Sequence, residues 1–248
     1  MKQAIWTQTY DVNTIVLNQH KRLGLFGLLN ILQDAAWIHA SHLGHGYEEM
    51  IQHGTIWVLT RQKLVMTDWP IWGDIVTIRT WVRPISGAIA NRDYEIWVGE
   101  RKFGECTACW LTMDMRTRRP QKLNLAENQL ESRAEGVLTL MPEKIVPRTD
   151  LESLATFQVR SSDLDLNAHV NNTRYAQWIL DSVADALGAL REYEVNFLAE
   201  SNVGDAVVIE RCAIEPSAIS PLRWQFQGRR NTDDKPAFVA RLGVVPNV

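Results

Sequence analysis

The stretch Ser162-Asp163-Leu164-Asp165-Leu166-Asn167-Ala168-His169-Val170-Asn171-Asn172 sets a carboxylate, an amide and an imidazole at alternate positions. In extended backbone, residues two apart point the same way, so Asp165, Asn167 and His169 are expected to share one face. Such a trio can activate a nucleophile and stabilise negative charge as it develops on an oxygen.

Asn171 and Asn172 are good helix N-caps. Tyr175, Trp178, Ile179, Val183 and Ala186 then recur at three- and four-residue steps, which predicts a helix with one buried face. The trio therefore stands beside free backbone N–H groups at the positive end of a helix, a place for an oxyanion. A purely local reading stands next to this one: Asp165 and Asn167 cap the helix by side-chain bonding.

Two segments further out share a pattern, Trp72-Gly73-Asp74-Ile75-Val76-Thr77-Ile78-Arg79 and Val203-Gly204-Asp205-Ala206-Val207-Val208-Ile209-Glu210. Each places a Gly-Asp turn before a β-branched run. Upstream of the first, Leu25, Leu28, Leu29, Leu32 and Ala36 mark an amphipathic helix; upstream of the second lies the helix from Tyr175. Strand-like runs follow at residues 75–82, 90–98 and 105–113, broken by Pro84, Ser86-Gly87 and Gly99, and again at 206–214, 222–229 and 237–244. This is an α+β pattern in duplicate, one long helix followed by a strand meander in each half. Residues 1–123 read as one domain, residues 124–150, rich in Glu, Arg and Pro, as a linker, and residues 151–248 as a second domain.

The 248 residues and a 46% hydrophobic content suffice for packed cores. A formal net charge of −3 offers no general attraction for nucleic acid or an anionic membrane. No apolar run approaches the roughly 20 residues of a membrane span, and the N-terminal residues lack a signal-peptide core. Three cysteines do not make a disulfide framework. A cytoplasmic protein with free thiols, a monomer or homodimer, is expected.

The chain resembles the acyl-acyl carrier protein thioesterases, of the bacterial kind and related to the plant fatty-acyl thioesterases. The likeness rests on Gly27-Leu28-Leu29-Asn30-Ile31-Leu32-Gln33-Asp34, Trp57-Val58-Leu59-Thr60-Arg61, Trp69-Pro70-Ile71-Trp72-Gly73-Asp74 and Thr117-Arg118-Arg119. Above all it rests on the run from Asp165 to Asn172. The resemblance implies two tandem hot-dog domains, each a long helix wrapped by an antiparallel sheet, with much of the acyl pocket in the first and catalysis in the second. It implies hydrolysis of fatty acyl thioesters on acyl carrier protein. No cofactor and no metal are expected. It also places the family's catalytic residues on Asp165, Asn167, His169 and Glu200. Plant members carry a Cys just after that Glu where this chain has Ser201, so a Cys-His mechanism there is excluded.

Thioester hydrolysis asks little of a leaving group whose thiol has a pKa of about 8.5. What must be supplied is a nucleophile and an oxyanion site. A carboxylate in an apolar groove gains basicity by desolvation, which makes Asp165 and Glu200 the candidates. Direct attack by Asp165 and activation of water both remain open. Ser201, without a nucleophile-elbow glycine pattern, reads as a neutral pocket residue.

Other signals read as structural. Cys106 and Cys109 form a CxxC within a predicted strand and are expected in the core. His39, His42 and His45 follow at three-residue steps near a helix end, where His42 and His45 complement the helix dipole. Of the ten tryptophans, Trp57 is the candidate for an acyl tunnel, and most of the others pack the core. Arg116, Arg118, Arg119 and Lys122 form a basic run that is either a docking patch for an acidic carrier protein or a solvated loop. The alternatives to carrier-protein thioester hydrolysis are acyl-CoA hydrolysis and a non-catalytic acyl-binding hot-dog.

Overall fold

The computed structural model describes residues 3–85, 87–123, 131–183 and 189–246. The chain divides into two compact units, Met1–Thr60 with Thr67–Met141, and Arg61–Met66 with Pro142–Val248. Among the described residues no helix is long and apolar enough to cross a membrane.

The first unit runs from strand β1 (Ile5–Asp11) through helix α1 (Leu25–His42) and the short helix α2 (Tyr47–Gln52). It continues into β2 (Thr55–Met66, whose residues from Arg61 on belong to the second unit), β3 (Ile75–Val82), β4 (Ile89–Val98) and β5 (Arg101–Asp114). Its strands lie in the order β1-β3-β4-β5-β2, and β1–β3, β3–β4 and β4–β5 pair antiparallel. Helix α1 buries Leu25, Leu28, Leu29, Leu32 and Ala36, the residues whose spacing predicts it, and lies on β1 and β3. It continues past Ala36 to His42, and Gly44, at φ 80°, turns the chain away.

The second unit contains β6 (Glu152–Gln158), α3 (Asn172–Val183), β7 (Ala189–Phe197), β8 (Ala206–Ile214), β9 (Leu222–Arg230) and β10 (Pro236–Val245). The strand order is β7-β10-β9-β8-β6, and the Arg61–Met66 part of β2 pairs antiparallel with β7. Helix α3 lies on β6 and β8 and buries Tyr175, Trp178, Ile179 and Val183. Ala186, expected on the same face, lies outside the described residues, as does Ser86 of the predicted turn before β4. Each unit is a hot-dog: one long helix against an antiparallel sheet.

The duplication extends to individual bonds in the two Gly-Asp turns. Gly73 and Gly204 sit at φ 90° and 93°, where a side chain is strained. Asp74 accepts from Ile71 N at 2.8 Å, and Asp205 from Asn202 N at 2.9 Å. Val12 N and Val159 N then bond Asp74 O and Asp205 O, each at 2.9 Å. A turn repeated in this detail anchors the start of β3 and β8 alike.

Strands β1, β2, β6 and β7 and helix α2 go beyond the sequence reading. Strand β7 shows why: Glu192, Glu194 and Asn196 break its apolar pattern, yet Glu194 and Asn196 are buried. They are buried under residues 142–148, expected as linker. Glu143 N donates to Glu194 Oε1 at 2.6 Å, Ile145 N to Asn196 Oδ1 at 2.8 Å, and Arg148 N to Gln227 Oε1 at 3.3 Å. In the first unit, Arg83 holds Leu138 O and Leu140 O while Asp93 accepts from Leu138 N. The described part of that segment is therefore a strap bonded to the strands, its polar content used in pairing rather than in solvation. Residues 124–130 lie outside the described residues, and the division between units falls between Met141 and Pro142.

The histidines near the end of α1 go separate ways. His42 Nδ1 bonds Ile38 O at 2.8 Å in the last helical turn. Buried His39 accepts from Arg92 Nη1 on Nδ1 at 2.9 Å and donates from Nε2 to Gln3 O at 2.9 Å. Burial first, then the Arg92 guanidinium, lowers the His39 pKa from 6.5 to about 4. The native state therefore binds fewer protons than the unfolded chain between these values. The His39 contribution is complete above about pH 6.5 and is lost as pH falls towards 4, at most about 3 kcal/mol in all. Denaturant titrations at pH 7 and pH 4.5 are expected to show this loss, and His39→Gln, which still accepts from Arg92, is expected to flatten it.

Candidate active site

Asp165, Asn167 and His169 do not lie on extended backbone. Residues 165–169 form a tight loop closed by an antiparallel bridge between Leu164 and Val170. Asp165 N donates to His169 O at 2.8 Å and Ala168 N to Asp165 O at 3.1 Å, while Ala168 takes φ 60°. Asp165 Oδ1 accepts from Asn167 N at 2.8 Å and from His169 N at 3.4 Å, an Asx-type brace across the loop. The expected sharing of one strand face by Asp165, Asn167 and His169 does not hold. A turn, rather than the pleat of a strand, groups these residues, and the Asp165 cap closes the loop rather than the helix.

The helix start is where the asparagines predict it. Asn171 Oδ1 accepts from Thr173 N at 3.1 Å and from Thr173 Oγ1 at 3.0 Å, and α3 begins at Asn172. Arg174 on the first turn reaches back to Ser162 O at 3.0 Å and lies 3.6 Å from Asp163. The far side of the loop is tied down as well, because Val170 N donates to Ser201 O at 3.0 Å.

That last bond brings the distant glutamate in. His169 Nε2 lies 3.2 Å from Glu200 Oε2, with the two side chains 27% and 40% exposed. Asp165 is half-buried and the side chain of Asn167 is exposed at the loop tip. The carboxylates are therefore not in the apolar surroundings that the desolvation argument requires. Glu200 faces the His169 imidazole, and Asp165 Oδ1 accepts backbone N–H groups. Ser201 is fully buried beside the Tyr175 phenol, which burial pushes up to about 12, and its hydroxyl makes no well-formed hydrogen bond among the described residues.

Trp57, Arg118 and Arg119 belong to the first unit. Trp57 Nε1 donates to His45 O at 3.0 Å, and its ring packs with Ile85 and Trp110 against Leu43, Val82 and Ala90. Trp81 is buried, whereas Trp37 and Trp72 are exposed, so the tryptophans do not act as one group. Arg116, Arg118 and Arg119 project from an exposed loop after β5. Asp114 Oδ1 braces it, accepting from Thr117 N at 2.6 Å and Arg116 N at 3.1 Å, and Arg118 takes φ 56°. Cys106 and Cys109 are buried free thiols in β5.

The first unit contains a counterpart of the loop that the sequence reading missed. Leu17 bridges Leu23 as Leu164 bridges Val170. Asn18 N bonds Arg22 O at 2.8 Å, Lys21 N bonds Asn18 O at 3.1 Å, and Lys21 takes φ 57°. Asn18 Oδ1 accepts from His20 N at 3.0 Å and Arg22 N at 3.1 Å. Leu23 N donates to Pro70 O at 2.8 Å, as Val170 N does to Ser201 O. Counted from Val12 and Val159, Asn18, His20 and Arg22 replace Asp165, Asn167 and His169. Counted back from Gly73 and Gly204, Trp69 replaces Glu200. The spacing to those glycines was the available signal.

Residues 3–127 match the acyl-ACP thioesterase N-terminal domain and residues 147–232 the acyl-ACP thioesterase C-terminal domain. A chloroplastic palmitoyl-acyl carrier protein thioesterase of Gossypium hirsutum is 30% identical over 211 residues, 78% of this chain and 50% of that protein. Oleoyl-acyl carrier protein thioesterase 1 of Arabidopsis thaliana is 26% identical over 209 residues, 77% of this chain and 58% of that protein. The chain spans about half the length of the curated relatives it matches. In fold it is similar to an acyl-ACP thioesterase from Bacteroides thetaiotaomicron VPI-5482, with a TM-score of 0.85 at 22% identity over 97% of both chains. It is similar also to the 12:0-ACP thioesterase from Umbellularia californica, with a TM-score of 0.81 at 18% identity over 100% of this chain and 96% of that one.

Because Asn18 braces its loop with an amide oxygen, the brace at 165 needs an acceptor and no charge. Asp165→Asn is expected to unfold within about 0.5 kcal/mol of the parent, while Asp165→Ala, which leaves two N–H groups without an acceptor, is expected to cost about 1 kcal/mol. Thermal and urea unfolding of both variants check this.

Proposed function

The chain belongs to the acyl-ACP thioesterase family, and on that premise we propose that it hydrolyses fatty acyl thioesters on acyl carrier protein, ending chain elongation by releasing the fatty acid. The observation that carries this reading is the 3.2 Å approach of His169 to Glu200 beside a loop braced by Asp165. A carboxylate-imidazole pair open to solvent can take a proton from water as that water adds to the thioester carbonyl. The proton then passes to the departing thiolate, whose acid has a pKa of about 8.5, and the products are a carboxylic acid and a thiol.

In this proposal Glu200 positions and deprotonates the water, and His169 shares the proton. Asn167, at the loop tip, offers its amide to the oxyanion. Asp165 holds the loop and lends its charge to the site. Its Oδ1 already accepts two N–H groups, so water activation is favoured over direct attack by Asp165. Trp57 belongs to the apolar packing of the first unit that takes the acyl chain, and Arg118 and Arg119 meet the acidic carrier protein. No cofactor or metal enters this scheme, and the cytoplasm is the compartment that fits free thiols and a carrier-protein substrate.

Glu200→Ala and His169→Ala are each expected to lower kcat by about 100-fold or more on a matched acyl-carrier-protein substrate, with melting temperatures near the parent's. Full activity in both would sink the assignment. Charge reversal at Arg118 and Arg119 is expected to raise KM about tenfold for acyl carrier protein while leaving acyl-CoA turnover unchanged. Equal effects on the two carriers point instead to acyl-CoA hydrolysis, and no hydrolysis at any chain length points to an acyl-binding protein.

A further inference from the structure

Glu200 lies beyond the end of β7, in a loop, and still meets His169. Its neighbours are held by main-chain bonds, Ala199 N to Ala237 O at 3.1 Å and Val170 N to Ser201 O at 3.0 Å. Between them the Glu200 carbonyl itself accepts from Arg230 Nη1. Arg230 closes β9, is largely covered, and is itself gripped by a fork: Nε to Asp233 Oδ1 at 3.1 Å and Nη2 to Asp233 Oδ2 at 2.6 Å. Two parallel bonds to one carboxylate fix the plane of a guanidinium, so the remaining nitrogen is aimed rather than free to wander.

The duplication supplies an internal control. Val207 pairs with Arg230 across β8 and β9, and the equivalent Val76 pairs with Val98 across β3 and β4. Val98 therefore stands in Arg230's place in the unit where Trp69 stands in Glu200's. The loop tie from Leu23 N to Pro70 O persists there with Val98 at the equivalent position. A clamp required by the fold belongs in both units, whereas this one accompanies the glutamate.

We propose that Arg230 is a positioning residue for Glu200, oriented by Asp233, which sets the approach of the Glu200 carboxylate to His169. The proposal rests on the role given to Glu200 above. Arg230→Gln is expected to lower kcat about tenfold with KM within about twofold, because a displaced base loses alignment before it loses substrate. Arg230→Lys, which keeps a donor for the carbonyl, is expected to recover most of the rate. Arg229→Gln, which breaks the neighbouring pairs to Glu210 and Asp234, is expected to lower melting temperature and leave kcat unchanged.

The deciding measurement is a double-mutant cycle with Glu200→Gln. If Arg230 acts through Glu200, Arg230→Gln has no further effect on kcat in that background; an equal further loss overturns the proposal, since a merely structural role is additive. Should Arg230→Gln fail to fold, Asp233→Asn frees the fork with the arginine in place, and an unchanged kcat there overturns it too. A Glu200→Gln enzyme as active as the parent refutes the role of Glu200 itself, an outcome separate from either.

Discussion

The candidate site depends on one constraint, the closure of a short loop by its own main chain. Between β6 and α3 the chain reverses within residues 165–169, and the bonds Asp165 N to His169 O and Val170 N to Ser201 O leave the loop one place to go. The first bond turns His169 outward, and the second lays the segment carrying Glu200 alongside it. The 3.2 Å approach of imidazole and carboxylate is built on this backbone frame. Groups held this way need little reorganisation when a reaction begins, which is where rate is gained.

The loop also separates frame from chemistry. Its copy at residues 18–23 keeps the bridge, the left-handed residue, the Asx-type brace and the tie to the Gly-Asp turn segment. Its side chains include two amides, an imidazole, a lysine and an arginine, with Trp69 at the position equivalent to Glu200. Turn formation tolerates this because it asks only for a short acceptor at one position and a tolerated positive φ at another. The pairing of imidazole with carboxylate is lost in the copy, since Arg22 carries no acceptor and Trp69 no carboxylate. One duplicated frame therefore carries two different surfaces.

Legibility in the chain follows the strength of local signals. The α1 and α3 faces, the Asn171 cap and the paired Gly-Asp turns are each set by residues within a few positions of one another, and they were readable. The strands that escaped notice are those whose partners are remote. Glu194 and Asn196 in β7 look like surface residues until residues 143–145 cover them with backbone N–H groups. The alternation of Asp165, Asn167 and His169 misled for the opposite reason. Alternating residue types suit a strand, but the Asp165 carboxylate competes for the backbone and wins a turn.

From its amino acids alone this chain declares two helix-and-meander halves, a helix opening at Asn172 and the residue types of the candidate site, because periodicity, capping and composition are local quantities. That Glu200 meets His169 while Ser201 turns inward, that Arg230 grips the glutamate's carbonyl, and that neither carboxylate is deeply buried were decided only in three dimensions. The physical reason is that each of these depends on register between strands far apart in the chain. Register is chosen by the packing of the whole sheet rather than by any residue in it.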